Sequence, residues 1–291
     1  MTKPVYAIPP SFINDELDTR STFYYLKYLE SKGATRVLTT AGTSQFNLLS
    51  IDEIYSLNKC LVNNFSKEKI LGLPSLSLKH LIKEICKLND LNCTNTKILI
   101  LFPERYYNDN QVINFFKEVC SVSKYPVYLH GNPLKKGNGG IYEYSNLLLN
   151  KLSQIKNFSG IKEEYSSLDL SIKSISNLDL DIIVAGGSMR RFWTLFPYGA
   201  TSFLTGVGNF NPIYSENFYD NHINGNYNKC LEIIQTIEKP LFDVFMKIGW
   251  HAAMRESLKE MKFILENRNP FIIINKTDKS KILNALKKII E

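Results

Sequence analysis

The feature that most constrains the fold of this chain is a regular alternation of short β-branched or apolar runs with longer segments that carry apolar residues at helical spacing. The alternation occurs eight times, which is the number of strand and helix units in a closed (β/α)8 barrel. The predicted strands are Val5–Pro9, Arg36–Thr40, Lys69–Leu73, Lys97–Phe102, Pro126–Gly131, Phe158–Glu163, Asp181–Gly186 and Ser202–Gly206. The predicted helices are Asp18–Ser31, Ser50–Phe65, Leu76–Leu88, Asn110–Val122, Tyr142–Ile155, Ser166–Ser176, Arg190–Tyr198 and Pro212–His222. We therefore expect an α/β fold, a (β/α)8 TIM barrel.

The strand signal stops after Asn224, while helical periodicity continues to the end of the sequence. The three remaining segments are Tyr227–Glu238, Pro240–Glu266 and Lys279–Ile290. We expect residues 1–225 to form the barrel with the active site, and residues 226–291 to form a C-terminal three-helix appendage.

A doubly wound open sheet also produces alternating strands and helices, and in its dinucleotide-binding form it needs a glycine-rich turn after the first strand. Here the first strand runs into Pro9, Pro10, Ser11 and Phe12, which cannot make that turn. The pair Gly206 and Gly208 lacks the third glycine of the fingerprint. The barrel is therefore the favoured architecture.

Composition excludes several other classes of protein. Hydrophobic residues make up 44% of the 291 residues and charged residues 22%, as in globular proteins. The net charge of +7 is spread along the chain, without the basic runs of a nucleic-acid binder. No apolar stretch approaches the ~20 residues of a membrane span, the opening MTKPVYAIPP lacks the apolar run of a signal peptide, and the five cysteines are scattered. We expect a cytoplasmic protein without nucleic-acid or membrane partners, and without a metal because no histidine pair has ligand spacing.

Catalytic groups in such barrels lie at the carboxyl ends of the strands, and the sixth predicted strand ends with a lysine among apolar residues. Side chains alternate faces along a strand, so Ile161 is expected to face the helices and Lys162 the barrel interior. Burial favours a neutral amine, which could attack a carbonyl to form a Schiff base. The alternative is a structural lysine that pairs with Glu163 or Glu164.

Several motifs in residues 1–225 occur in the order and spacing of one enzyme family. They are Ala7-Ile8-Pro9-Pro10-Ser11-Phe12, Gly42-Thr43-Ser44-Gln45-Phe46, Phe102-Pro103 with Tyr106-Tyr107-Asn108, Gly160-Ile161-Lys162-Glu163, Ala185-Gly186-Gly187, and Gly199-Ala200 through Thr205 to Asn209 and Pro212. This pattern resembles the dihydrodipicolinate synthase and N-acetylneuraminate lyase family of Schiff-base aldolases. The segment Gly160 to Glu163 is similar to the G-I-K-E motif of the family.

The resemblance implies roles for individual residues. Lys162 corresponds to the lysine that forms the imine, and Thr43 to the threonine of the proton relay. The resemblance also implies that one of Tyr106 and Tyr107 enters the site, although two extra residues precede them. The substrate-binding residues implied are Gly42, Thr43, Ser44, Gly186 and Thr205. It further implies that no cofactor is needed and that the chain forms a homodimer or homotetramer.

The main departure from the family lies at the end of the fifth strand, where the family has a proton-relay tyrosine. Here His130 takes that position, and Tyr128 lies two residues earlier on the same face. An imidazole, with its ordinary pKa near ~6.5, can also transfer protons at neutral pH. We expect His130 to be the proton shuttle; the alternative is an interior histidine bonded to the backbone.

Other departures concern the substrate. Gln45 and Phe46 replace a Gly-Glu pair, and only Lys135 or Lys136 could replace the basic residue that follows the fifth strand in dihydrodipicolinate synthases. The acidic residues that sialic acid lyases place after Gly187 are absent from the sequence.

We therefore predict a lyase or aldolase that forms a Schiff base between Lys162 and a pyruvate-type 2-oxo acid, and makes or breaks a carbon–carbon bond. The alternatives are dihydrodipicolinate synthase itself, a 2-keto-3-deoxy sugar acid dehydratase, and a non-catalytic barrel that binds a 2-oxo acid.

Overall fold

The computed structural model describes residues 3–40, 42–137, 139–268 and 274–290. The chain separates into two compact units. We call Glu68–Leu204 the central unit, and Lys3–Lys67 together with Thr205–Glu291 the terminal unit.

Eight strands, each paired in parallel within its own unit, occur at the eight predicted places. They are β1 (Tyr6–Ala7), β2 (Arg36–Leu38), β3 (Glu68–Leu73), β4 (Thr96–Ile100), β5 (Val127–Gly131), β6 (Phe158–Glu163), β7 (Asp181–Val184) and β8 (Ser202–Phe203). In the terminal unit β1 pairs with β2, and in the central unit β3 to β8 pair in chain order. Most strand residues are apolar and buried, as expected for parallel strands covered on both faces.

Helices follow the strands in the order of a (β/α)8 barrel. They are α1 (Thr19–Ser31), α2 (Ile51–Asn64), α3 (Leu78–Asn89), α4 (Asp109–Val122), α5 (Asn146–Ser153), α6 (Leu168–Ile175), α7 (Ser188–Leu195), α8 (Pro212–Ile223), α9 (Tyr227–Ile233), α10 (Lys239–Ile248), α11 (Trp250–Glu260) and α12 (Lys276–Ile290). Polar caps define many of the helix starts, because a side-chain oxygen accepts from a free N–H of the first turn. Ser50 forms a complete capping box with Glu53 at the start of α2.

The fifth predicted helix was placed too early. Ile141–Tyr142 forms one strand of a short antiparallel hairpin with Leu134–Lys135, and α5 begins only at Asn146. The Ser145 hydroxyl accepts a hydrogen bond from the Leu148 N–H at 3.2 Å and fixes this start. The loop after β5 is therefore longer than the sequence pattern indicated.

The helices after residue 226 also differ from the prediction. A π-helical turn, Ile234–Glu238, joins α9 to α10 without a break. This wider turn precedes Pro240, whose ring and missing N–H do not fit a regular α-helix. The predicted helix Pro240–Glu266 was wrong as one element, because Gly249 adopts a φ of +115° between α10 and α11.

Candidate active site

Lys162 is the next-to-last residue of β6. It therefore lies at the carboxyl end of the strand, where barrel enzymes carry their catalytic groups. The parallel register sets it directly opposite His130, the next-to-last residue of β5. Paired residues of neighbouring strands point to the same face, so both side chains leave the sheet side by side. Both side chains are buried.

Three polar groups meet at this point. The Lys162 Nζ lies 2.8 Å from His130 Nε2 and 2.8 Å from Glu164 Oε1. The other carboxylate oxygen, Glu164 Oε2, lies 2.8 Å from the same His130 Nε2. The amine, the imidazole and the carboxylate therefore form a closed triangle of charge-assisted contacts.

The surroundings shift the pKa of two of these groups. Burial lowers the pKa of His130, and the nearby Lys162 charge lowers it further against the opposing effect of Glu164. Burial alone would raise the pKa of Glu164, but the positive charge of Lys162 and the contacts with His130 hold that pKa well below its usual range. At neutral pH the site thus contains a carboxylate and an imidazole that favours its neutral form.

A second layer of polar groups lies on the same face, nearer the amino ends of the strands. The Tyr128 hydroxyl donates to Asp181 Oδ2 at 2.7 Å, and Lys97 Nζ lies 3.6 Å from the same oxygen. Gly160 leaves room for the Tyr128 ring, because a Cβ there would lie 2.6 Å from ring atom Cε2. The Tyr128 hydroxyl is thus hydrogen-bonded to Asp181, in the layer next to the one that contains the Lys162 amine.

The glutamate of the G-I-K-E segment faces the opposite way from Lys162. Glu163 Oε1 accepts hydrogen bonds from Arg191 Nη2 at 2.7 Å, from the Ser171 hydroxyl at 2.7 Å and from the Tyr165 N–H at 2.9 Å. The Glu163 side chain is fully buried. Glu163 connects β6 to α6 and α7, so its contacts are structural. The carboxylate that pairs with Lys162 is that of Glu164.

Tyr106 and Tyr107 do not join the triangle in the described part of the chain. The Tyr106 hydroxyl donates to Asp109 Oδ1 at 2.8 Å, and its ring stacks on Tyr142 at 3.6 Å between centroids. Tyr142 donates to the same oxygen at 2.9 Å. Tyr107 is 66% exposed. Two neighbouring phenols are thus held in different environments, one in a bonded cluster and one in solvent.

The two lysines considered as counterparts of the basic residue lie in the hairpin after β5. Lys135 forms an exposed ion pair with Glu104, and Lys136 lies with its Nζ 5.7 Å from the centroid of the Tyr142 ring. Neither has the bidentate geometry that an arginine offers a carboxylate.

The remaining predicted residues lie in loops after other strands. Gly42–Ser44 forms a short 3-10 turn after β2 in the terminal unit, and Thr43 is half-buried there. Gly186, with a φ of +67°, precedes α7 in the central unit. In the terminal unit the buried Thr205 hydroxyl is 2.5 Å from the Ser215 hydroxyl and accepts from the Gly208 N–H at 2.9 Å.

Glu164 is the member of the triangle to which the sequence analysis gave no functional role. The available signal was its spacing, because residues i and i+2 of an extended segment point to the same side. Lys162 and Glu164 have this spacing. The chain leaves the strand at this point, so the alternation rule did not by itself fix the direction of Glu164.

The described residues also bear on metal binding and on membrane insertion. Among the described residues, no three His, Cys, Asp or Glu side chains are grouped so that they could bind a metal ion. No helix in the same part of the chain combines the length and apolar character that crossing a membrane requires.

The fold and the site define a (β/α)8 barrel with a buried lysine near the carboxyl end of its sixth strand, which is the end where such barrels carry their active sites. A match to the model of the dihydrodipicolinate synthetase family covers residues 7–289. The chain therefore belongs to the dihydrodipicolinate synthetase family and is an enzyme of the lyase class. This confirms the family predicted from the sequence.

Individual relatives support this assignment. The 4-hydroxy-tetrahydrodipicolinate synthase of Wigglesworthia glossinidia brevipalpis is 28% identical over 172 residues, which are 57% of this chain and 54% of the relative. The match therefore spans about half the length of that relative.

Solved structures of dihydrodipicolinate synthases match along almost the whole chain. The enzyme from Thermotoga maritima is 20% identical with a TM-score of 0.84, and the enzyme from Aquifex aeolicus is 16% identical with a TM-score of 0.85. Each likeness covers 99% of this chain and 98% of the other. At this identity the likeness shows the fold, and the predicted TIM barrel with C-terminal helices is confirmed.

Proposed function

We propose that this lyase forms an imine between the Lys162 amine and the carbonyl of a 2-oxo acid, and makes or breaks the adjacent carbon–carbon bond. The observation that carries the proposal is the buried Lys162 Nζ at 2.8 Å from both a histidine nitrogen and a carboxylate oxygen. A lysine needs a group that accepts its proton before it can act as a nucleophile, and this lysine has two candidates within hydrogen-bond distance.

The imidazole of His130 is the proposed proton shuttle. It lies in contact with the amine, and its lowered pKa favours the neutral form that accepts a proton. Thr43 and one of Tyr106 and Tyr107 remain proposed members of the relay, as the family resemblance implies. Gly42, Ser44, Gly186 and Thr205 remain proposed substrate-binding residues on the same ground.

The particular reaction is a finer proposal. Relatives of this chain are named as dihydrodipicolinate synthases, which keeps that reaction as the first alternative. His130 in the tyrosine position and Lys135 in an ion pair with Glu104 favour a different second substrate. We propose a pyruvate-type 2-oxo acid lyase that acts without a cofactor, and keep a sugar acid dehydratase as the second alternative. The resemblance also supports a homodimer or homotetramer, and the scattered cysteines support a cytoplasmic location.

The proposal is tested by trapping the imine. Incubation with pyruvate and borohydride should reduce the imine to a stable secondary amine on Lys162, which mass spectrometry of the digested protein locates. Lys97 is an internal control, because it is a lysine of the same unit on the same face and pairs with Asp181. Lys162→Ala should remove the adduct. An adduct that persists in Lys162→Ala, or no adduct at all, would contradict the Schiff-base mechanism.

A further inference from the structure

We propose that Glu164 is a positioning residue for this imine chemistry, because its carboxylate keeps one proton in the site, shared between the Lys162 amine and the His130 imidazole. The inference rests on the Schiff-base function proposed above. It assigns a role to a residue that the family pattern does not require, and it explains why two bases face one carboxylate.

One ring nitrogen of His130 has two partners. His130 Nε2 lies 2.8 Å from Lys162 Nζ and 2.8 Å from Glu164 Oε2. A ring nitrogen either donates or accepts in a given protonation state, so it cannot serve both neighbours at once. The contacts therefore describe two states of the site that share one geometry.

In the first state the Lys162 ammonium donates to Glu164 Oε1 and to the unprotonated Nε2 of His130. In the second state the proton has moved along the 2.8 Å contact from Nζ to Nε2, and the imidazolium donates to Glu164 Oε2. Glu164 Oε1 accepts from the ammonium in the first state, and Glu164 Oε2 accepts from the imidazolium in the second. Glu164 thus faces a cation in both, and the transfer needs no rearrangement of the carboxylate.

Burial explains why this carboxylate is needed. The Lys162 and His130 side chains are 1% and 2% exposed, while Glu164 is 31% exposed. A buried cation without a counter-ion is strongly disfavoured, so the proton would otherwise leave for solvent. Among the groups on this face of the central strands, Lys97, Tyr128 and Asp181 contact one another one layer below. Glu164 is the carboxylate that contacts both members of the Lys162 and His130 pair.

The same proton balances the reaction. The ammonium first gives its proton to the imidazole, and the free amine then forms a C–N bond as the carbonyl electrons move to oxygen. One proton of the Lys162 nitrogen, which is positively charged after the C–N bond has formed, passes to that oxygen. The imidazolium then protonates the resulting hydroxyl, which leaves as water. The products are a protonated imine, water and neutral imidazole. One positive charge remains in the site throughout, and Glu164 is its counter-ion at every stage.

The test measures His130 directly. The chain has four histidines, so labelled imidazoles should give few NMR signals, and His130→Asn identifies the relevant one. In Glu164→Gln, an amide of nearly the same shape, the pKa of His130 should fall below its value in the wild-type protein, because the carboxylate opposes the effect of burial. The basic limb of imine trapping should move to lower pH, and kcat should fall by about 100-fold with a smaller change in KM.

Controls separate this role from general effects. Glu104→Gln removes one negative charge from an exposed pair in the same unit and should leave the His130 titration unchanged. Glu164→Ala repeats the measurement if the glutamine variant does not fold. A His130 titration and trapping profile equal to wild type in the folded Glu164 variants would overturn the inference. Absence of any Lys162 adduct in the wild-type protein would instead refute the proposed function, while the titration still reports on the carboxylate.

Discussion

At the scale of single residues, His130 occupies the most informative position, because one ring nitrogen contacts both Lys162, the proposed nucleophile, and Glu164, its proposed counter-ion. Replacing it with asparagine keeps a polar side chain but removes the base. We expect His130→Asn to lose turnover by about 100- to 10,000-fold, while the imine still forms slowly. His130→Tyr should recover part of the rate, since it restores the residue that the family resemblance implies. Steady-state kinetics with borohydride trapping measures both effects.

The control is His80→Asn, an exposed histidine in α3 of the same unit, which should keep the wild-type rate. The acidic limb of the wild-type profile should lie below the ordinary histidine pKa of ~6.5, because burial lowers the pKa of His130 and a ring that already carries a proton from solvent cannot accept the proton of the Lys162 ammonium. Turnover of His130→Asn within about threefold of wild type would mean that the histidine is structural and that a tyrosine transfers the proton.

At the scale of elements, the β5 and β6 pair carries the candidate site, and Gly160 of β6 lies close to groups of both neighbouring strands, β5 and β7. A Cβ at Gly160 would lie 2.5 Å from the Asp181 carbonyl oxygen and 2.6 Å from the Tyr128 ring. The Tyr128 ring of β5 and the backbone of β7 would have to shift. We expect Gly160→Ala to destabilise the protein by about 1–3 kcal/mol and to slow imine trapping, as measured by chemical denaturation and adduct formation.

Gly137→Ala is the matched control for this change, since a Cβ there has no neighbour within 4 Å. It should unfold at the same denaturant concentration as wild type. Equal stability of the two alanine variants would show that the neighbours of Gly160 on β5 and β7 move apart easily, and that the close approach at Gly160 is not required for stability.

The elements also show which parts of the site could be read from the sequence. The contact between Lys162 and His130 was predictable, because strand alternation and chain-order pairing fix side-chain direction inside regular strands. Glu164 and Tyr106 lie outside the strands, where the direction depends on partners distant in sequence. The break at Gly249 depends on a positive φ that helical periodicity does not reveal.

At the scale of the whole molecule, the chain has the barrel fold and belongs to the dihydrodipicolinate synthetase family, but a fold does not fix a substrate. We expect only slight turnover of pyruvate with aspartate semialdehyde. Three features support this expectation: His130 in the tyrosine position, Gln45 with Phe46 in the loop after β2, and lysines with other contacts after β5. A coupled assay measures the rate, and turnover near ~10 per second would make that reaction the first choice.

The opposite directions of Lys162 and Glu163 have a consequence for assembly of the barrel. A slip of β6 by one residue would turn the lysine toward the helices and the glutamate toward the site. Arg191 would then lose its carboxylate, and His130 would lose its amine. A slip would therefore break two ion pairs, Arg191 with Glu163 on one face and Lys162 with Glu164 on the other, so incorrect pairing of β6 is penalised on both faces at once during folding.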